Sequence, residues 1–159
     1  MVVLAALLGP HGVAGADGAP AMWQGYANAW IASHVQRIGG AAPKDKRLDC
    51  QGDINGDGHA DVVVIYLVVS KGGGDDWTQY ATVLTSTPQG FGAVMPKEVG
   101  GKGKRMIERC TIAASSVELA TKDHVAGDAS CCPSKLGTLR LRFENGALAD
   151  APTPAASGR

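Results

Sequence analysis

The stretch from Asp53 to Val69, DINGDGHADVVVIYLVV, restricts the fold of this chain more than any other segment. It sets oxygen-bearing side chains at alternate positions of a glycine-bearing loop and runs straight into an apolar, β-branched sequence. Asp53, Asn55 and Asp57 fall at positions 1, 3 and 5 of a calcium loop, and the His59 carbonyl can serve from position 7. Asp61 stands at position 9, either on the ion or bonded to it through water. Gly56 and Gly58 allow the tight turning that wraps a chain around a cation. At the twelfth position, where an EF-hand places a bidentate Glu, stands Val64, inside a run that must be a strand and not an exiting helix. Two readings follow. Three carboxylates converging in a short loop repel one another without a cation, which favours calcium. Alternatively, the same side chains accept backbone N–H bonds in an Asx-rich turn that launches the strand.

A length of 159 residues supports one domain with a real core. Fifteen basic side chains balance fifteen acidic ones, with no long block of one sign. That excludes the electrostatics of a nucleic-acid groove or a polybasic membrane patch. Glycine, at 22 residues, is spread over turns, as in a protein of many short strands.

Residues 1–16, MVVLAALLGPHGVAGA, read as an apolar leader remnant without a basic n-region. Ala14 and Ala16 form an export-cleavage pair, and the expected cleavage follows Ala16. The stretch is shorter than the ~18 apolar residues that a membrane span needs. The expectation is an exported protein, periplasmic or secreted, with no transmembrane segment in the mature chain. Cys50, Cys110, Cys131 and Cys132 suit that compartment as two disulfides, which can connect in three ways. Bridging adjacent residues is geometrically awkward, so Cys131 and Cys132 are each expected to reach a separate partner, Cys50 or Cys110. The spacing contains no C-x2-C knuckle for structural zinc, and nothing marks a catalytic thiol.

The segment AMWQGYANAWIASHVQRIG places Trp23, Tyr26, Ala27, Trp30, Ile31, His34, Val35 and Ile38 at helical spacing and predicts one amphipathic helix ended by Gly39-Gly40. Strands are predicted over 61–70, 77–86, 91–95, 105–112, 115–121 and 137–143, the last followed by the ENG turn. The fold class expected is α+β: a mostly antiparallel sheet of five to seven strands packed against the N-terminal helix. The expected organisation is a leader remnant at 1–16, helix and linker at 17–44, the β domain at 45–148 and a disordered Pro- and Ala-rich tail at 149–159. No unit repeats.

GDINGDGHADVVVIYLV, the later WTQYATVLTS, the VGGKGKR turn and above all CCPS together resemble a family of small exported bacterial proteins related to the FG-GAP/VCBS type of calcium-loop repeat. The resemblance covers roughly residues 45–148. It implies calcium binding at Asp53, Asn55, Asp57 and Asp61, without the repetition of a propeller.

Catalytic candidates are thin. Ser115, Ser116, His124 and Asp128 supply the residue types of a hydrolase triad, but no G-x-S-x-G elbow frames either serine. GGKGKR at 100–105 lacks the Walker pattern and reads as a solvated basic turn. Glu108 and Glu118 could act as an acid–base pair only if their carboxyls stood about 5 to 9.5 Å apart. Two functions remain. One is an extracytoplasmic binding or interaction domain for a protein or carbohydrate, stiffened by disulfides and structural calcium, with Trp77 and Tyr80 as ligand surface. The other is an accessory subunit of an envelope complex, docked through the helix at 22–38. An exposed apolar helix face would favour the second, and a cleft at Trp77 the first.

Overall fold

A computed structural model describes residues 22–72, 75–113 and 115–152. The leader and cleavage expected at 1–16 lie outside the described residues, as do residues 17–21, which precede the helix, and the end of the tail. Among the described residues one α-helix, α1 (Met22–Ile38), precedes a short 3-10 turn (Lys44–Lys46). Nine strands follow: β1 (Arg47–Gly52), β2 (Asp61–Val69), β3 (Trp77–Thr87), β4 (Gly90–Ala93), β5 (Lys97–Gly101), β6 (Arg105–Ala113), β7 (Ser116–Asp123), β8 (Lys135–Glu144) and β9 (Ala147–Asp150). All pair antiparallel in one sheet of order β1-β2-β3-β5-β6-β7-β8-β9, with β4 on the far end of β3. The α+β class with one helix on a mostly antiparallel sheet is therefore observed, with more strands than the five to seven expected.

The three unforeseen strands each carry a local reason. β1 reads as a charged return, RLDCQG, but its alternate residues Leu48 and Cys50 pack against the inner core. β5, KEVGG, reads as a turn because glycine weakens strands. Here glycine is required: a Cβ on Gly100 would lie 2.8 Å from both the Arg105 carbonyl and Gln79 Oε1. β9 straddles the expected boundary between the β domain and the tail, running on to Ala149 and Asp150. Asn145 (φ 51°) and Gly146 (φ 74°) form a two-residue hairpin turn that returns Leu148 to the core.

β2 explains the placement of the rest. Its buried residues point both ways, as a continuous apolar run requires. Val62, Val64, Tyr66 and Val68 meet Trp23, Ala27 and Ile31 of α1. Val63 and Ile65 meet Ala81, Val83, Ile107, Val117, Leu119 and Leu141. The sheet thus folds over itself around one core and carries the helix on the outside. Gly39 (φ 77°) ends α1, its N–H bonding the Val35 carbonyl at 2.9 Å.

The folding-over brings β1 beside β6. Four antiparallel steps separate them in the sheet, so they run in the same direction. Among the described residues no backbone hydrogen bond joins them. The Cys50–Cys110 disulfide closes the seam instead, with Cα atoms 5.6 Å apart. One step further along, a Cβ on Gly52 would lie 2.9 Å from Ile112 Cγ2, so glycine permits the close approach.

Candidate functional site

The seam is tight at Cys50–Cys110 and Gly52–Ile112 and opens at its other end, where β1, β3 and β6 begin and β2 ends. A depression of about 410 Å³ lies there, lined by Leu48, Leu67, Trp77, Met106 and Ile107, with Asp45, Lys46 and Glu108 at its rim. A second, of about 460 Å³, adjoins it through Lys46, Leu67 and Trp77 and extends to Pro43, Val69 and Cys131. Trp77, half-buried, forms a wall of both. Gln79 closes the floor. β5 pairs with β6 only at Gly101 and Arg105, which leaves the Ile107 backbone without a strand partner on that side. The buried Gln79 amide takes that place: Nε2 donates to the Ile107 carbonyl (3.2 Å) and Oε1 accepts from its N–H (2.7 Å). Neither Gln79 nor the walls Leu67 and Met106 were singled out in the sequence, because each is an ordinary strand residue until the sheet folds over.

Tyr80 is not part of this groove. Three residues along a strand reverses the face, and Tyr80 lies on the helix side, its ring centroid 4.9 Å from that of His34 and 5.9 Å from that of Tyr66. The expected Trp77–Tyr80 surface is therefore split between two faces of β3. His34 is buried at the helix–sheet interface, with Nδ1 2.7 Å from the Tyr66 hydroxyl. Burial and the nearby Arg37 lower the pKa of His34, and burial raises that of Tyr66. The Tyr66 hydroxyl and His34 Nδ1 thus share one hydrogen bond, in which the imidazole tautomer sets which of the two donates.

The loop 53–61 joins the other ends of β1 and β2, so it lies at the opposite end of the seam from the groove. Its oxygens are satisfied internally. Asp53 Oδ2 accepts from Gly58 N (2.9 Å), and Oδ1 accepts from Gly56 N (2.7 Å) and Asp57 N (3.2 Å). These bonds, that from Gly58 foremost, lower the pKa of the Asp53 carboxyl. Asn55 Oδ1 accepts from Asp57 N, Asn55 Nδ2 donates to Asp57 Oδ2, and Asp57 Oδ1 accepts from His59 N. The His59 side chain is exposed and its backbone N–H is used in the turn. Asp61 stands apart: fully buried, it accepts from Ile54 N (3.1 Å) through Oδ2 and from Ser86 N (2.8 Å) through Oδ1. It ties the loop to β3 and does not face the loop's mouth. Of the four side chains expected on a cation, Asp53, Asn55 and Asp57 share the exposed mouth. Among the described residues no cluster of three or more Asp, Glu, His or Cys side chains is arranged to hold a metal.

Cys131 and Cys132 are bonded to each other and not to Cys50 or Cys110, which corrects the expected pairing. Cys50 and Cys110 face one another across the core seam, and this leaves the exposed pair to itself. The loop carrying them is organised by Asp128, whose carboxylate accepts from Val125 N (2.9 Å), Ser134 N (3.0 Å) and Ser134 Oγ (2.8 Å). These bonds, that from Val125 foremost, lower its pKa.

The catalytic candidates are not brought together. Ser116 begins β7 and bonds the Ala113 carbonyl, whereas His124 follows the end of that strand, about 26 Å of extended chain away. Glu108 pairs with Lys122 (2.7 Å) and Glu118 with Arg140 (2.8 Å) in separate surface ion pairs. In the basic turn, Lys104 pairs with Glu98, Lys102 with Asp76 and Arg105 with Asp123. No described helix is long and apolar enough to cross a membrane. In comparisons with family models, curated proteins and solved structures, nothing matches this chain.

Proposed function

We propose that this protein is an extracytoplasmic binding domain that receives an extended segment of a protein ligand in the groove at Trp77. The observation that carries this reading is the pair of adjoining depressions meeting at Trp77, at the end of a seam where β1 and β6 lie side by side without pairing. An unpaired strand edge beside apolar walls suits a peptide, whose main chain takes up the edge while alternate side chains enter the two depressions. Rim charges of both signs, Asp45, Lys46 and Glu108, suit a polar main chain better than a lipid. A staple at Cys50–Cys110 keeps the far end of the seam closed, in keeping with an oxidising compartment.

An exposed apolar face on α1 would have favoured the accessory-subunit alternative. The central face of α1 packs on the sheet, with Trp23, Ala27, Ile31 and His34 buried and Tyr26 edge-on against Phe91 at 5.7 Å between centroids, and Met22, Tyr26 and Ile38 stay exposed around it.

A display of random peptides and an array of oligosaccharides, both probed with wild type and Trp77→Ala, test the reading. Peptide enrichment by wild type that Trp77→Ala loses, at unchanged melting temperature, is the expected result. Enrichment on oligosaccharides alone would move the groove to a carbohydrate ligand, and peptide binding indifferent to Trp77 would remove the groove from the account.

Calcium belongs to this proposal as a structural ion. The donor set is Asp53, Asn55 and Asp57 with the His59 carbonyl, and only two of these are carboxylates. Low ligand charge places such a loop among weak extracellular sites, with Kd on the order of 10⁻⁴–10⁻³ M. Calcium at about ten times that concentration should raise the melting temperature of wild type and not of Asp57→Ala.

A further inference from the structure

We propose that the Cys131–Cys132 disulfide is a reversible thiol–disulfide exchange site, open to small dithiols, while Cys50–Cys110 is a permanent staple.

The two bonds differ in what they can do for the fold. Cys50 and Cys110 are 60 residues apart in sequence, and Cys110 belongs to the buried core. That bond closes a long loop and restricts the unfolded chain strongly. A bond between neighbouring residues closes no such loop, so stabilisation does not account for Cys131–Cys132. Both its residues are exposed. Cys131 also lines the depression walled by Trp77, Leu67 and Val69, so a small molecule can approach the sulfur from the groove. The surrounding loop keeps its anchors without the disulfide. Asp128 holds Val125 and Ser134 on either side of the pair, and Cys132 N donates to the Ala129 carbonyl at 2.8 Å. The bond can therefore open and close while the loop stays anchored, and access to its sulfurs is one of the factors that set the rate of such exchange.

The exchange proceeds in two displacements. A thiolate of the dithiol attacks one sulfur of the pair, forms a mixed disulfide and expels the other cysteine as thiolate. The second thiolate of the dithiol then attacks its own sulfur in the mixed disulfide, closes a cyclic disulfide and releases the second cysteine. Two electrons pass from the dithiol, which is oxidised, to Cys131–Cys132, which is reduced; a cyclic disulfide reverses both steps.

The test is stepwise reduction of the folded protein with dithiothreitol, trapping with iodoacetamide and peptide mapping by mass. Cys131 and Cys132 should be trapped together at reductant concentrations at least about tenfold below those that expose Cys50 and Cys110. Added oxidised dithiothreitol should restore the bond. In Cys131→Ser/Cys132→Ser the early step should vanish while the late step and the melting temperature stay unchanged. Simultaneous reduction of all four cysteines would overturn the proposal. So would trapping of Cys131 or Cys132 before any reductant is added, a disulfide-linked peptide joining either to Cys50 or Cys110, or a clear drop in melting temperature of the double variant.

Discussion

At the scale of single residues, the structure separates roles that one motif had grouped. Asp53, Asn55, Asp57 and Asp61 look equivalent in the sequence, but burial divides them. Asp57 bonds an exposed backbone N–H within its own turn, whereas Asp61 satisfies two donors on different elements from a fully buried position. Truncating Asp61 strands Ile54 N and Ser86 N, at about 1–3 kcal/mol for each buried donor left unpaired. Asp61→Ala is therefore expected to lose about 2–4 kcal/mol in urea unfolding, with or without calcium, and Asp57→Ala less than about 1 kcal/mol in calcium-free buffer. Equal losses for the two variants would contradict this division. The alternating oxygens were legible in the sequence because loop chemistry is local. Which of them turns inward was not, because Ser86 is brought to Asp61 only by the pairing of β2 with β3. Gln79 follows the same rule: its function as a stand-in for strand pairing exists only where β5 stops short of covering β6.

At the scale of elements, α1 was readable from periodicity and β2 from its continuous apolar run, and the Gly39 stop matched its expected place. Strands hidden by charge or glycine, β1 and β5, were not, since burial on one face and close backbone approach decide them. The helix–sheet interface carries a titratable bond, between the Tyr66 hydroxyl and His34 Nδ1. Burial and Arg37 hold the folded His34 pKa below its ordinary 6.5. The unfolded chain then binds the proton first as pH falls. Stability from this group is complete above about pH 6.5 and declines below it, by up to about 1.4 kcal/mol per pH unit, until the lowered folded pKa is reached. Denaturant unfolding from pH 7.5 to pH 5 should show this decline in wild type. His34→Asn, whose amide can donate to or accept from the Tyr66 hydroxyl but does not titrate, should show a shallower one. Parallel profiles for the two proteins would remove His34 from the pH response.

At the scale of the whole molecule, the fold is a sheet bent until its first and sixth strands meet without hydrogen bonds. The disulfide is what joins them, and its closure of a 60-residue separation corresponds to about 4 kcal/mol of unfolded-state restriction. Cys50→Ser/Cys110→Ser should lose most of that in equilibrium unfolding, whereas Cys131→Ser/Cys132→Ser should lose almost none. The sequence suggested disulfides from cysteine number and context, yet the pairing depends on where the bend places Cys50. The same bend opens the groove between strand ends distant in sequence, which is why Trp77 could be suspected but its neighbours Leu67 and Met106 could not.

The open end of this seam is proposed to receive a peptide at Trp77. Heteronuclear NMR of the ¹⁵N-labelled protein, titrated with a display-selected peptide, tests it most directly. The Trp77 indole and the backbone amides of Lys46–Leu48, Leu67–Val69 and Met106–Glu108 are expected to shift, while the indoles of Trp23 and Trp30 stay in place. Shifts concentrated on α1 or on the loop 53–61, with Trp77 unmoved, would contradict it.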